Sequence, residues 1–373
     1  MKRIGLFCGL VWLASFAAPF ATASTSVTPA NRCQADLAEI SAFLLHNDAG
    51  AEDARAHHGS LIDAALHQAQ ADSSALTDAA ADAAADAAAC DAILTAYLRA
   101  WRPGHLSVTA LAASAAPAPV AAIDPRLPRV QRLGADTLLL TIPSFNDRYR
   151  APLATLLDQH RSELASHRYW IVDVRGNGGG SDTTYAPLLP WLLDGDYLQH
   201  ALAYRATTAN IRAQEQVCAG QTDPQPCLRQ MGPAIAAMRA ATIGSAVTPA
   251  AEHITVQAPQ RVEPKAPRRV AVLIDRDCGS SCDQFALTVK AGFRVKLAGQ
   301  PSAGVVDVGN LRPHPLPSGR VLRYATTRST RAAELPLDGI GVQPDLLLPA
   351  PPDAAARAAE VTRVQRWLES GRL

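Results

Sequence analysis

The chain has 373 residues, 48% of them hydrophobic and 18% charged, with a formal net charge of +1. That is apolar enough to argue against a disordered polymer, and long enough for one large or two moderate domains with buried cores. The near-zero charge argues against a nucleic-acid partner or an anionic surface as target.

Lys2-Arg3, an apolar stretch from Ile4 to Phe20 and Ala21-Thr22-Ala23 make the pattern of a secretory signal peptide, with cleavage expected before Ser24. The apolar core is short for an uncleaved anchor, and Leu6-Phe7 ahead of Cys8 fits a lipid-attachment site poorly. No later stretch is apolar for long enough to span a bilayer, so a soluble exported protein, periplasmic or extracellular, is expected. Cleavage takes Lys2 and Arg3 off 35 basic residues, against 34 acidic ones, and turns +1 into −1. Six cysteines remain in a compartment where disulfides persist: Cys33, Cys90, Cys218, Cys227, Cys278 and Cys282. Six allow fifteen connectivities. Proximity favours Cys218–Cys227 and Cys278–Cys282, which leaves Cys33–Cys90. No C-x-x-C pair stands near a histidine pair, which argues against a metal site.

From Asn31 to about Arg102 the pattern is helical. Leu37, Ile40, Phe43 and Leu44 make one face, and Leu61, Ile62, Ala65 and Leu66 another. The alanine run Ala79 to Ala89 predicts a further helix, which Ile93, Tyr97 and Trp101 continue. Pro103-Gly104 ends it, and His105 leads into the strand-like Leu106–Thr109. Residues 112–128, rich in Ala and Pro, read as a linker or surface loop. Strands are predicted at Thr137–Ile142 and Tyr169–Val174, with an amphipathic helix over 151–166 between them. Residues 210–265 show no clear strand pattern. Val270–Ile274 is a buried strand, and Gln284–Ala291 a helix with Phe285, Val289 and Phe293 at helical spacing and Gly292 as its stop. Short strands follow at 294–297 and 320–325. His314, between Pro313 and Pro315, falls in an expected solvent-facing hairpin loop. The tail, 353–369, places Val361, Val364, Trp367 and Leu368 on one helical face. Strands alternating with helices imply an α/β core.

Cys278-Gly279-Ser280-Ser281-Cys282-Asp283 sits between the buried strand and the helix. Backbone N–H groups at a helix N-terminus are unpaired, so a serine there has donors ready for a developing oxyanion. Asp173-Val174-Arg175-Gly176-Asn177-Gly178-Gly179-Gly180 follows a strand. Its spacing matches neither dinucleotide nor P-loop fingerprints, and amide donation to an oxyanion or a peptide carbonyl is the functional reading.

Five segments in order carry a family resemblance. Pro103-Gly104-His105-Leu106 is similar to a "D-G-H" stretch, and Asp173–Gly180 to D-x-R-x-N-x-G-G. Cys278–Asp283 is similar to "S-A-S-A-S-E", Gly299–Gly304 to "G-E-x-T-x-G", and Gly339–Asp345 to "G-I-x-P-D". Together they resemble the carboxy-terminal-processing (tail-specific) serine peptidases and their tricorn-core relatives. The resemblance implies a crotonase-like α/β core with a small helical N-terminal domain. It implies Ser280 as nucleophile, with the amides of Ser281 and of Gly178 or Gly179 as oxyanion donors. Val305 stands where a dyad lysine follows the glycine in some members, and the chain has no room for a PDZ domain. The tricorn-like branch instead places a histidine base where His105 stands. An acid completes that relay seven residues before the last Asp of "G-I-x-P-D"; here it is Asp338, where the branch has glutamate. A serine precedes the branch's histidine; here it is Gly104. The organisation expected is a signal peptide at 1–23, a helical domain at 24–104 and a strand and linker at 105–130. The peptidase core follows at 131–350 and a C-terminal helix at 351–373. The expected activity is hydrolysis of protein or peptide substrates through an acyl-enzyme, with no metal or organic cofactor. The alternative is a catalytically inactive peptide- or ligand-binding relative of the same fold. The sequence leaves the oligomeric state open.

Overall fold

The computed structural model describes residues 29–76, 83–110, 124–220, 223–249, 251, 253–257, 261–262 and 267–372. The expected signal peptide, most of the expected linker and the first alanines of the Ala-rich run lie outside the described residues.

Three helices open the fold: α1 (Pro29–Asn47), α2 (Ala51–Ser74) and α3 (Ala83–Trp101). Cys33, Leu37, Ile40 and Leu44 recur at helical spacing on α1, and all are buried against Cys90, Leu94, Tyr97 and Trp101 of α3. A Cys33–Cys90 disulfide ties the two helices together. Leu61, read as part of an apolar face, is 61% exposed, because the buried stripe of α2 runs through Ile62 and Ala69.

The helices pack on an antiparallel sheet. Its long strand β12 (Arg320–Ser329) carries β1 (Ser107–Ala110) and β6 (Leu202–Arg205) along one edge and β11 (Val308–Pro315) along the other; β7 (Ala246–Val247) extends it from β6. Leu316, Leu322 and Tyr324 fill the helix–sheet interface. His314 lies in strand β11 opposite Leu322 and not in a loop. Its ring stacks on Phe43 at 3.6 Å, and its Nε2 meets Glu39 at 2.7 Å. Residues 210–265 hold two helices, Thr208–Ala219 and Pro224–Ala240, joined by Cys218–Cys227. Pro224 sits at the helix start, where its missing N–H costs nothing, but Pro233 lies inside and obscures the pattern in the sequence. A separate ribbon pairs β5 (Tyr197–His200) with β8 (His253–Val256).

The second sheet has six strands in the order β13 (Leu346–Leu347), β10 (Val295–Gly299), β9 (Arg269–Ile274), β4 (Tyr169–Asp173), β3 (Thr137–Thr141) and β2 (Arg129–Arg132). Neighbours are parallel except β2 with β3. Alternate residues face opposite ways. Trp170, Val172, Val270, Val272 and Ile274 pack with Phe285 and Val289 of the helix Ser281–Val289. Ile171, Ala271 and Leu273 pack with Val364 and Leu368 of the C-terminal helix Ala354–Ser370. Both faces are covered, which is why β9 reads as a continuous apolar run. The helix after β9 begins at Ser281 and ends at Val289, so Phe293 falls beyond it and is 72% exposed. In parallel sheets the C-terminal strand ends form the ligand crevice. Here the loop after β4 and the turn after β9 meet there.

Candidate active site

Ser280 is the N-cap of the helix Ser281–Val289, at φ 58° and ψ −118°. For a non-glycine residue that backbone costs about 1–3 kcal/mol and has to be held by its surroundings. The Cys278–Cys282 disulfide closes the turn around it. The buried Asp283 carboxylate accepts the Ser280 N–H at 2.8 Å. It also accepts the amides of Gly304 (3.0 Å) and Val305 (3.1 Å) and the Ser302 hydroxyl. One carboxylate thus staples the serine turn to the 302–305 loop. Sequence reasoning assigned Asp283 no role, although it fills the acidic position of the turn motif.

The glycine-rich loop is fixed by Asn177, whose side chain is fully buried. Its Nδ2 donates to the Ile142 carbonyl at 2.9 Å, and its Oδ1 accepts the amides of Phe145 and Gly179. Its own carbonyl accepts the Gly279 amide at 3.1 Å, joining loop to turn. At Gly179, φ is +93°, and a methyl group there would come within 2.5 Å of the Gly279 carbonyl and 2.9 Å of Ser280 Cβ. Only glycine allows this contact. Of the expected oxyanion donors, Gly179 has its amide committed to Asn177. The amides of Gly178 and Ser281 have no acceptor among the described residues. Surrounding protein raises the pKa of the Asp182 carboxyl, and the Ser281 and Tyr185 hydroxyls counter the rise.

His105 follows α3 at φ 58°. Its Nδ1 lies 2.5 Å from the Val308 carbonyl. A carbonyl only accepts, so Nδ1 carries the proton and the Nε2 lone pair is free. Arg102 holds the backbone: Nε donates to the Gly104 carbonyl at 3.0 Å and Nη2 to the His105 carbonyl at 3.1 Å. Arg102 is itself clamped at both ends of its fork by the buried Asp48 carboxylate, at 2.5 and 2.7 Å. Burial lowers the His105 pKa and the Arg102 charge adds to this; the Val308 carbonyl and the charges of Asp283 and Asp48 oppose it. The imidazole is therefore neutral at neutral pH, as a general base must be.

Asp338 was expected against His105. Among the described residues no hydrogen bond joins them; Asp338 Oδ1 instead accepts the amides of Val306 (2.7 Å) and Asp307 (2.8 Å). Burial, with help from the neighbouring Asp307, raises its pKa to about 6. Asp338 thereby shapes the segment that ends in the Val308 carbonyl. A backbone acceptor leaves no side-chain signal in a sequence.

Val305 links the two halves. A methyl on Gly104 would come within 2.2 Å of Val305 Cγ1, and one on Gly279 within 3.0 Å of Val305 Cγ2. The residues preceding His105 and Ser280 thus flank a single isopropyl group.

The model of peptidase family S41 matches residues 136–348. No curated protein matches the chain. Among solved structures, the chain is similar to a lipoprotein from Streptococcus agalactiae, with 15% identity over 96% of this chain and 99% of that one and a TM-score of 0.47. It is similar to a putative peptidase from Parabacteroides merdae, with 14% identity, 86% and 90% coverage and a TM-score of 0.48. It is also similar to a photosystem II D1 C-terminal processing protease, with 16% identity over 66% of this chain and 48% of that one and a TM-score of 0.35. With its mixed α/β core of the crotonase-like kind and a helical N-terminal region, the chain belongs to peptidase family S41.

Proposed function

We propose that this chain is an exported serine peptidase that hydrolyses peptide bonds of unfolded proteins or short peptides through an acyl-enzyme. Ser280 Oγ attacks the scissile carbonyl as His105 Nε2 takes its proton. The amides of Ser281 and Gly178 receive the oxyanion. His105 returns the proton to the leaving amine, and water attacks the acyl-enzyme by the same route in reverse. The Val308 carbonyl fills the orienting place in the relay, with Asp338 acting behind it through the backbone. The observation that supports the reading is that Gly104 and Gly279, the residues preceding a tautomer-fixed histidine and a serine held at positive φ on a helix N-terminus, both lie against Val305. Three disulfides and the N-terminal pattern support export.

A fluorophosphonate probe tests this. Wild type should label at Ser280; Ser281→Ala, which keeps its amide, should still label. Ser280→Ala should not, and should lower turnover of an unfolded substrate about a millionfold, as nucleophile knockouts do. A folded wild type that resists the probe would leave the inactive binding relative as the better reading.

A further inference from the structure

Opposite the candidate active site, at the N-terminal ends of the parallel strands, lies a cavity of about 800 Å³. That is within the size range of small-molecule sites. The first residues of β9, the approach to β10 and the end of the C-terminal helix form its walls. Arg268, Arg269 and Lys296 line it, and none of the three pairs with a carboxylate among the described residues. Arg269 Nη1 donates to the Leu368 carbonyl, 3.2 Å away. Arg294 also lines the cavity, but Asp194 and the Pro267 carbonyl hold its guanidinium.

The lining is also partly apolar. Phe293 is 72% exposed at the cavity, with the Arg294 guanidinium 5.5 Å from its ring centre. Trp367 supplies a second aromatic wall, and the buried Leu368 lies beside it. Arg268, Arg269 and Lys296 are exposed and have no carboxylate partner among the described residues, so their charges repel one another, and an exposed ring beside them adds apolar surface in water. One kind of occupant relieves both. A negative head neutralises the arginines and the lysine, while a flat or acyl body covers Phe293 and Trp367.

We propose that this cavity binds a small organic anion: a carboxylate, phosphate or sulfonate carried on an aromatic or acyl body. The site is separate from Ser280. Strand β9 alone, with five steps of about 3.3 Å between its end residues, puts roughly 16 Å between its two ends.

The test titrates the folded, disulfide-intact protein with 8-anilinonaphthalene-1-sulfonate and, as a neutral control, 1-anilinonaphthalene. One saturable site is expected for the sulfonate, with at least tenfold weaker binding of the neutral analogue and weakening as salt is raised. Lys296→Glu, alone and combined with Arg268→Glu, should weaken the sulfonate at least tenfold, and Phe293→Ala should weaken it too. Near-UV circular dichroism and peptidase turnover of these variants should match wild type, and Ser280→Ala should bind the probe undiminished. Decanoate and phenyl phosphate, as competitors, then show whether an acyl or an aromatic body fits better. Equal binding of the neutral analogue, unchanged affinity in the charge-reversed variants, or displacement by neither competitor would each overturn the proposal.

Discussion

Gly104 and Val305 depend on one another through a single contact. The resemblance puts a serine and a lysine at these places in different branches of the family, and here a glycine faces a valine. The contact explains the pairing: a side chain at 104 has no room while Val305 Cγ1 stands 2.2 Å from where its Cβ would be. Gly104→Ser alone should therefore overpack the loop, costing about 1–3 kcal/mol, and displace His105. Combined with Val305→Ala it should recover part of that loss, because Val305 Cβ itself stands 2.9 Å from a Cβ at 104. Denaturant unfolding of the two single variants and the double variant measures the coupling, and simple additivity would contradict the contact. Asp338 makes a second prediction. Its folded pKa, about 6, lies above the ordinary carboxylate value, so the folded state binds more protons than the unfolded chain between those two values. Its contribution to stability is full at low pH and is lost as pH rises through about 6. Asp338→Asn keeps an oxygen for the Val306 and Asp307 amides and removes the titration. The variant should be more stable than wild type at pH 7.5 and indistinguishable from it near pH 3, with activity largely kept. An equal gain at both pH values would show that ionisation is not the cause.

The serine turn shows what an element adds beyond its residues. The strand, the serine turn and the helix were legible in the sequence because β9 is apolar throughout and Phe285 and Val289 mark a helical face. Ser281, Cys282 and Asp283 carry no apolar signal, so the pattern shows the helix only from Gln284, and Phe293, though at helical spacing, falls beyond its end at Val289. The Asn177 and Asp283 staples were not legible, because a buried polar side chain and a surface one look alike until the fold supplies partners. His314 conceals its strand for a related reason. Its flanking prolines suggest a loop, but among the described residues β11 pairs with β12 alone, and an edge strand tolerates proline where its N–H is not needed for the ladder. Loop closure separates the roles of two disulfides. Cys278–Cys282 spans four residues and Cys33–Cys90 spans 57. In the chain-entropy account these are worth about 2 and about 4 kcal/mol. Replacing Cys278 and Cys282 by alanine should thus cost the smaller stability and the larger activity, since the bridge encloses Ser280. Replacing Cys33 and Cys90 should do the reverse. Thermal melts and turnover of the two double variants decide it; equal activity losses would deny the short bridge a part in catalysis.

At the scale of the whole molecule, the proposed base and the proposed nucleophile come from different parts of the fold. Residues 136–348 match the family and include Ser280, while His105 lies outside that stretch at the end of α3. Arg102 and Asp48 join the two parts. Asp48 accepts the Ala325 amide from β12 and grips Arg102, which in turn holds the carbonyls of Gly104 and His105. Arg102 therefore acts on His105 in two separable ways, by geometry and by charge. Its positive charge lowers the His105 pKa, in addition to the larger effect of burial. The acid limb of kcat/KM should consequently fall below the ordinary histidine value of about 6.5, with activity rising as pH climbs through it. Arg102→Lys keeps the charge and loses the fork. It should leave the limb in place and lower kcat about a hundredfold, the scale of a misplacement near 1 Å. Arg102→Gln loses both, so it should lower kcat and also move the limb to higher pH. It leaves Asp48 buried without a cation, at about 3–5 kcal/mol, so the profile must be taken at a temperature where the variant is folded. A limb that stays put in Arg102→Gln, with kcat reduced as in Arg102→Lys, would reduce Arg102 to a purely mechanical support. A limb that moves in both variants would mean that ring position, and not the guanidinium charge, sets the basicity of His105.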